Sequence, residues 1–275
     1  MAPPKSRKAI ISRDRKSSRS ILLYGIASSV FLFFLSIVEP TLVGSLNNKV
    51  YDTLLKSTPM GEPSTVPVIV AIDEESLRQY GQWPWPRYRI ATLLDKLREL
   101  GALSIGLDIL FAEDDRTSVD VIRRNLLHDF GVNLEFAGLP QELRDNDQKL
   151  ANALSRGTVV LGYQFLFEED SGSNGCLLHP LHVNRIGPVD AGEDSGLFNT
   201  AGNVSCNLKL LSQAAASSGF FNVSTDPDGI VRRVPLIIEH KGRFYPSLSL
   251  ATLMRALDTN EVFLKTGSNG GSSYT

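Results

Sequence analysis

With 275 residues, 42% of them hydrophobic and 21% charged, the chain can bury a core and is neither disordered nor fibrous in composition. A formal net charge of −2 excludes a general electrostatic pull toward nucleic acid. Two cysteines and four histidines in no familiar ligand spacing argue against a zinc site, and no metal or other cofactor is expected.

The charge is unevenly placed. In residues 1–20, Lys5, Arg7, Lys8, Arg13, Arg15, Lys16 and Arg19 stand against one acid, Asp14. Ile21–Val38 then runs without a charge until Glu39-Pro40 ends it. A helix of that length spans about 27 Å, close to the hydrocarbon thickness of a bilayer. No small-residue cleavage site follows, so the run reads as an uncleaved transmembrane helix rather than a signal peptide. The basic tip then stays in the cytoplasm, and everything after Pro40 is expected beyond the cell (inner) membrane, crossed once.

Leu42–Lys56 has apolar residues at roughly helical spacing and reads as a stalk helix; Ser57–Val66, with Pro59, Gly61 and Pro63, reads as a linker. Val66–Ile72 is a continuous apolar, β-branched run that suits a strand buried on both faces. Asp73 caps a short helix that stops at Gly81. Pro86 opens a longer helix with Ile90, Leu93, Leu94, Leu97 and Leu100 on one side, ended by Gly101. Leu103–Phe111 is a second strand, and strand–helix–strand implies a parallel βαβ unit. Ser118–Phe130 and Gln141–Ser155 are amphipathic helices, and Thr158–Phe165 is a third strand. Glu168–Asn207, rich in Gly, Ser and Asn, carries no assignable pattern. His179 and His182 within it read as solvated loop side chains. Gly219–Ser224 and Ile230–Ile238 are expected to pair as a hairpin around Thr225–Gly229. Lys241-Gly242-Arg243 is a turn, Phe244-Tyr245 a short strand, and Ser247–Leu257 a helix. The fold expected is α/β: a mainly parallel sheet flanked by helices, with an added antiparallel hairpin, preceded by one transmembrane helix. The divisions are 1–20 (basic tip), 21–38 (membrane helix), 39–65 (stalk and linker), 66–260 (main domain) and 261–275 (flexible tail).

Several of these runs are familiar together. VIVAIDEESL (Val68–Leu77), GQWPWPR (Gly81–Arg87), GALSIGLDILFAE (Gly101–Glu113), DPDGIVRRVPL (Asp226–Leu236) and GRFYPSLSLA (Gly242–Ala251) resemble the CHASE domain of type two, with YDTLL (Tyr51–Leu55) ahead of them. The resemblance covers about Tyr51 to Leu257. It implies an extracytoplasmic sensor domain of bacterial receptors whose outputs are cyclases, kinases or related modules. It further implies that the chain is short at its C-terminus relative to the family and that the output module lies elsewhere.

Among the polar residues, Asp108 interrupts an apolar strand, so it should be paired or face a cleft. Ligands of open α/β sheets bind beyond the strands' carboxyl ends. Those ends carry Asp73, Glu74, Glu75, Asp108, Glu113, Asp114 and Asp115. The acids can serve a cationic ligand, or they can act as caps and a solvated loop. Arg87 sits in the first turn of a helix, where the dipole disfavours a cation. An ion pair with Asp73 or Asp108 is expected to compensate it. Trp83 and Trp85 either stack on a ligand or cover the core. Arg232 and Arg233 should point to opposite faces of a strand, one of them available for function. On the far side of the membrane a Cys176–Cys206 disulfide is permitted; two unpaired thiols are the other reading. No GxSxG, HExxH or P-loop occurs, and Asp73 has no second Asp two residues on, so no catalytic residues are expected. The partners expected are the membrane, a second copy in a homodimer and an unidentified small ligand or stimulus. The alternative function is a membrane-tethered scaffold without a ligand.

Overall fold

The computed structural model describes residues 20–34, 41–58, 64, 66–168, 175–186 and 198–265. The chain divides into two compact units, Met1–Val70 and Ala71–Thr275.

In the first unit, residues 20–34 form helix α1 and Thr41–Ser57 form α2. The side chains of α1 are exposed all round, Phe31, Phe33 and Phe34 among them. Among the described residues no helix is long and apolar enough to cross a membrane. The last four residues of the expected Ile21–Val38 span lie outside the described residues. On α2, Leu46, Val50 and Leu54 recur every fourth position and are exposed. The strand expected at Val66–Ile72 does not form. Val66 is 86% exposed and Ile69 93% exposed, and no described strand pairs with the segment. Apolar, β-branched composition supplies the side chains of a strand but not the neighbour that completes its hydrogen bonds.

The second unit opens with α3 (Glu74–Tyr80) and α4 (Arg87–Glu99). Ile90, Ala91 and Leu94 of α4 are buried, whereas Leu100, expected inward, is exposed. The expected Leu103–Phe111 strand shrinks to β1 (Ile105–Leu107), and without a strand before α4 the predicted βαβ unit is absent. Helix α5 covers Val119–Phe130. The next expected helix is split into a 3₁₀ turn at Gln141–Leu143 and α6 (Asn146–Ser155). The break falls at Asp145, which is extended and accepts the amides of Asp147 at 2.8 Å and Gln148 at 3.2 Å. Leu150, Ala153 and Leu154 face inward as expected, but Leu143, upstream of the break, does not.

Strand β2 (Val159–Leu166) is the centre of the unit. It pairs in parallel with β1 (Ile105↔Val159) and with β6 (Ser217–Phe220; Val160↔Ser217), and antiparallel with β5 (Asn203–Ser205; Phe165↔Val204). Its continuous apolar run fits a strand covered on both faces. The unassigned stretch before residue 207 supplies β3 (His182–Ile186), β4 (Thr200–Ala201) and β5. A short helix, α7 (Lys209–Ala214), leads into β6.

The hairpin expected around Thr225–Gly229 does not form, because its halves join different sheets. Only the turn survives, with Gly229 N donating to Asp226 O at 2.8 Å. The antiparallel hairpin is instead β7 (Ile237–His240) with β8 (Arg243–Pro246). Lys241 and Gly242 between them have φ of 50° and 73°, the positive pair a tight two-residue turn needs. Strand β4 runs parallel to β7. Ser247 then caps α8 (Leu248–Ala256), accepting from Leu250 N at 3.3 Å. The expected flexible tail begins with a strand, β9 (Glu261–Lys265), parallel to β3; residues 266–275 lie outside the described residues.

Strand β6 meets the start of α8 so closely that a Cβ on Gly219 would lie 2.6 Å from Leu248 Cα and 2.7 Å from Ser247 O. Both are backbone atoms, so only glycine fits. Tyr163, Phe165, Phe220 and Tyr245 build an aromatic core beside it. Burial, then Tyr245, pushes the Tyr163 phenol well above its ordinary value, and its hydroxyl has no partner among the described residues. Tyr163→Phe is therefore expected to stabilise the domain by about 1 kcal/mol, because it removes an unpaired buried hydroxyl. Urea midpoints at constant slope measure this; a lowered midpoint would mean that the hydroxyl is bonded after all.

Candidate functional site

Arg87 is the cation that binds the fold together at the β1 end of the sheet. It stands at the first position of α4 and is 9% exposed. Its Nη1 donates to Asp147 Oδ1 at 2.5 Å and its Nη2 to the Glu113 carbonyl at 2.5 Å. The guanidinium carbon lies 5.1 Å from the Phe111 ring centroid. The expected partners, Asp73 and Asp108, are not used.

Asp108 lies just past β1 and is exposed, so the burial that made it an outlier does not occur. The strand ends one residue too early to enclose it. Asp73 caps α3, accepting from the Ser76 amide at 2.9 Å and its hydroxyl at 2.7 Å. These hydrogen bonds hold its carboxyl below the usual range.

The acids that do the work are Asp115 and Asp147. Pro86 gives α4 no side-chain cap. Asp115 Oδ2 takes the Arg87 amide at 2.8 Å from 28 residues away and so caps α4 in trans. Its other oxygen accepts from the Thr117 amide and hydroxyl, at 2.8 and 2.7 Å. The Asp115 amide donates to Asp147 Oδ2 at 2.9 Å, while Asn146 N donates to Ser118 Oγ at 3.0 Å. The first turns of α4 and α6 are thereby tied to one loop, residues 111–118. Burial pushes the Asp147 carboxyl up, opposed by the Asp115 amide and Arg87. Asp147 sits in a first helical turn, where sequence reasoning takes an acid for a dipole complement. No local signal sets it apart, since Asp73, Glu74 and Glu75 crowd the start of α3 in the same way.

Beside this network lies a cavity of about 310 Å³ lined by Asp114, Asp120, Arg124, Asp145, Asp147 and Lys209. Its acids are largely spent within the protein: Asp114 pairs with Arg124 at 2.8 Å, Asp145 caps α6 and Asp147 holds Arg87. Among the described residues no group of three His, Cys, Asp or Glu side chains could hold a metal ion. Glu74 and Glu75 occupy the first turn of α3, where acids complement the dipole.

Trp85 is half-buried against the core built by Ile90, Leu94, Leu150 and Leu154, and its Nε1 donates to Gly81 O at 2.7 Å. Tyr80 and Trp83 flank it with ring centroids at 5.6 and 6.1 Å. Trp85 thus covers the core, while Trp83 is exposed and leans on Trp85. Arg232 and Arg233 do diverge, though on a loop rather than a strand: the Arg232 side chain is 6% exposed and Arg233 is exposed. Arg232 grips Asp226 at 2.6 Å and Asp228 at 2.7 Å, stapling the turn. The Asp228 carboxyl is held down at about 2, chiefly by its hydrogen bonds from Arg232. A carboxyl lowered on folding contributes stability that is present above its unfolded value near 3.8 and is lost as pH falls through about 2. Asp228→Asn is expected to flatten the acid side of the stability–pH curve between those values while leaving the curve's shape above pH 5 unchanged. Melting scans across pH measure it; an unaltered acid limb would mean that the staple opens in solution.

Cys176 and Cys206 are joined by a disulfide, with Cα atoms 5.9 Å apart, and pack against the aromatic core. The geometry around Arg87 is that of a clamp beside a cavity.

The family model described as the CHASE2 domain matches residues 27–272. Neither a curated protein nor a solved structure matches the chain.

Proposed function

The chain belongs to the CHASE2 domain family, whose domains are extracytoplasmic sensors, and we propose that it works as the non-catalytic sensory input part of a bacterial membrane receptor. The match over residues 27–272 carries this reading. Two features support the location beyond the membrane: the basic tip ahead of an uncharged apolar run, and the Cys176–Cys206 disulfide, which suits an oxidising compartment. In this reading Ile21–Val38 anchors the chain in the cell membrane with residues 1–20 in the cytoplasm. Two copies meet along α2 through Leu46, Val50 and Leu54, an exposed apolar row of the kind helices bury against each other. A stimulus outside changes the packing of the second unit, and the change reaches the membrane through α2. The output module of such a receptor is a cyclase or a kinase.

The deciding experiment is topological. Alkaline phosphatase fused after Leu257 is expected to be active in intact cells, and green fluorescent protein at the same position to be dark when exported by the general secretory route. The opposite pair of results would place the domain in the cytoplasm and overturn the reading.

A further inference from the structure

We propose that a second cavity, between residues 179–182 and the last turn of α8, binds a small organic carboxylate with a short apolar body. The cavity measures about 230 Å³. Its floor is apolar: Leu181 and Met254 are buried and cluster with Ile237. Its wall and rim carry His179, His182, Arg255 and Asn260, and among the described residues no carboxylate lines it. Most concave ligand sites combine such a floor with a few convergent polar groups.

The charge of the site is what selects the ligand. Arg255 is half-buried at the end of α8 and donates through Nη2 to Asn260 Oδ1. Among the described residues no acid pairs with it, so its remaining N–H groups and its charge are available. A partly buried cation with no counter-ion favours an anion. His179 supplies a neutral donor next to it. Its amide donates to Ser218 Oγ at 3.1 Å, and its Nδ1 lies 3.0 Å from the same oxygen. The arrangement that uses both contacts has Oγ–H donating to Nδ1, which leaves the ring proton on Nε2. Burial first, and Arg255 second, hold this imidazole below its ordinary value, which favours the neutral ring. The site therefore offers a guanidinium and a ring N–H to a carboxylate and an apolar floor to the chain behind it. It is separate from the Arg87 network, and the assignment stands whatever the topology experiment returns.

The test uses the full chain in detergent micelles with three probes: hexanoate, hexylamine and inorganic phosphate. Hexanoate is expected to raise the melting temperature with concentration, as a ligand of the folded state must, and hexylamine and phosphate are not. Arg255→Gln is expected to weaken hexanoate binding by about tenfold or more, the worth of a charge-assisted hydrogen bond. A second measurement needs no variant: in the wild-type chain the His179 ring proton resonances should shift on titration with hexanoate, while those of His128 on α5 stay in place. No rise with hexanoate, an equal rise with hexylamine or phosphate, an unmoved His179 ring, or unchanged affinity in a folded Arg255→Gln protein would each overturn the proposal.

Discussion

Asp147→Ala is expected to lower the melting temperature of the second unit by roughly 10 °C, equivalent to about 3–5 kcal/mol, because it strands a buried charge. Arg87 and Asp147 have side chains only 10% and 8% exposed. Removing the acid leaves the guanidinium with the Glu113 carbonyl and the Phe111 face, neither of which carries a compensating charge. It also releases the Asp115 amide, and with it the acid that caps α4. The paired change Arg87→Met with Asp147→Leu should cost far less than Asp147→Ala alone, since neither partner is then left charged. Calorimetry of the three proteins separates the cases. A single variant that melts within about 2 °C of wild type, far short of what a stranded buried charge costs, would mean that the network is open to water.

Breaking the disulfide is the second large effect. Cys176 and Cys206 close a loop with a sequence separation of 30. On chain entropy alone, opening it costs about 3–4 kcal/mol. The double change Cys176→Ala with Cys206→Ala should therefore lower the urea midpoint substantially. Reductant should do the same to the wild-type chain and nothing further to the variant. Equal midpoints with and without reductant in the wild type would show that the thiols are unpaired in the isolated protein. The bond has structural leverage because it fastens the segment carrying β3, β4 and β5 to the aromatic core around Phe165.

What the sequence disclosed depended on whether the information was local. Strand β2 was legible because a run buried on both faces is apolar throughout, and α4 because Pro86, apolar residues at helical spacing and Gly101 mark its start, face and end. Arg87 declared itself by standing where a helix repels a cation, but its partner lay 60 residues away at another helix start. A single chain gives no means of choosing among distant acids, so the nearer Asp73 and Asp108 were preferred and were wrong. Strands β3, β4 and β5 went unread because they are short and lie among Gly, Ser and Asn residues. The turn at Asp226–Gly229 was real, yet a turn does not oblige its flanks to pair with each other. His179 looked like a loop residue until Ser218 and Arg255 were brought beside it by the fold.

The bare apolar stretch at residues 66–70 has a practical consequence for anyone concentrating this protein. Exposed β-branched side chains in a segment that joins no described strand form a surface on which neighbouring molecules can stack, so self-association should begin there. Pro67, the one residue of that stretch that cannot donate a hydrogen bond, works as a gatekeeper against it.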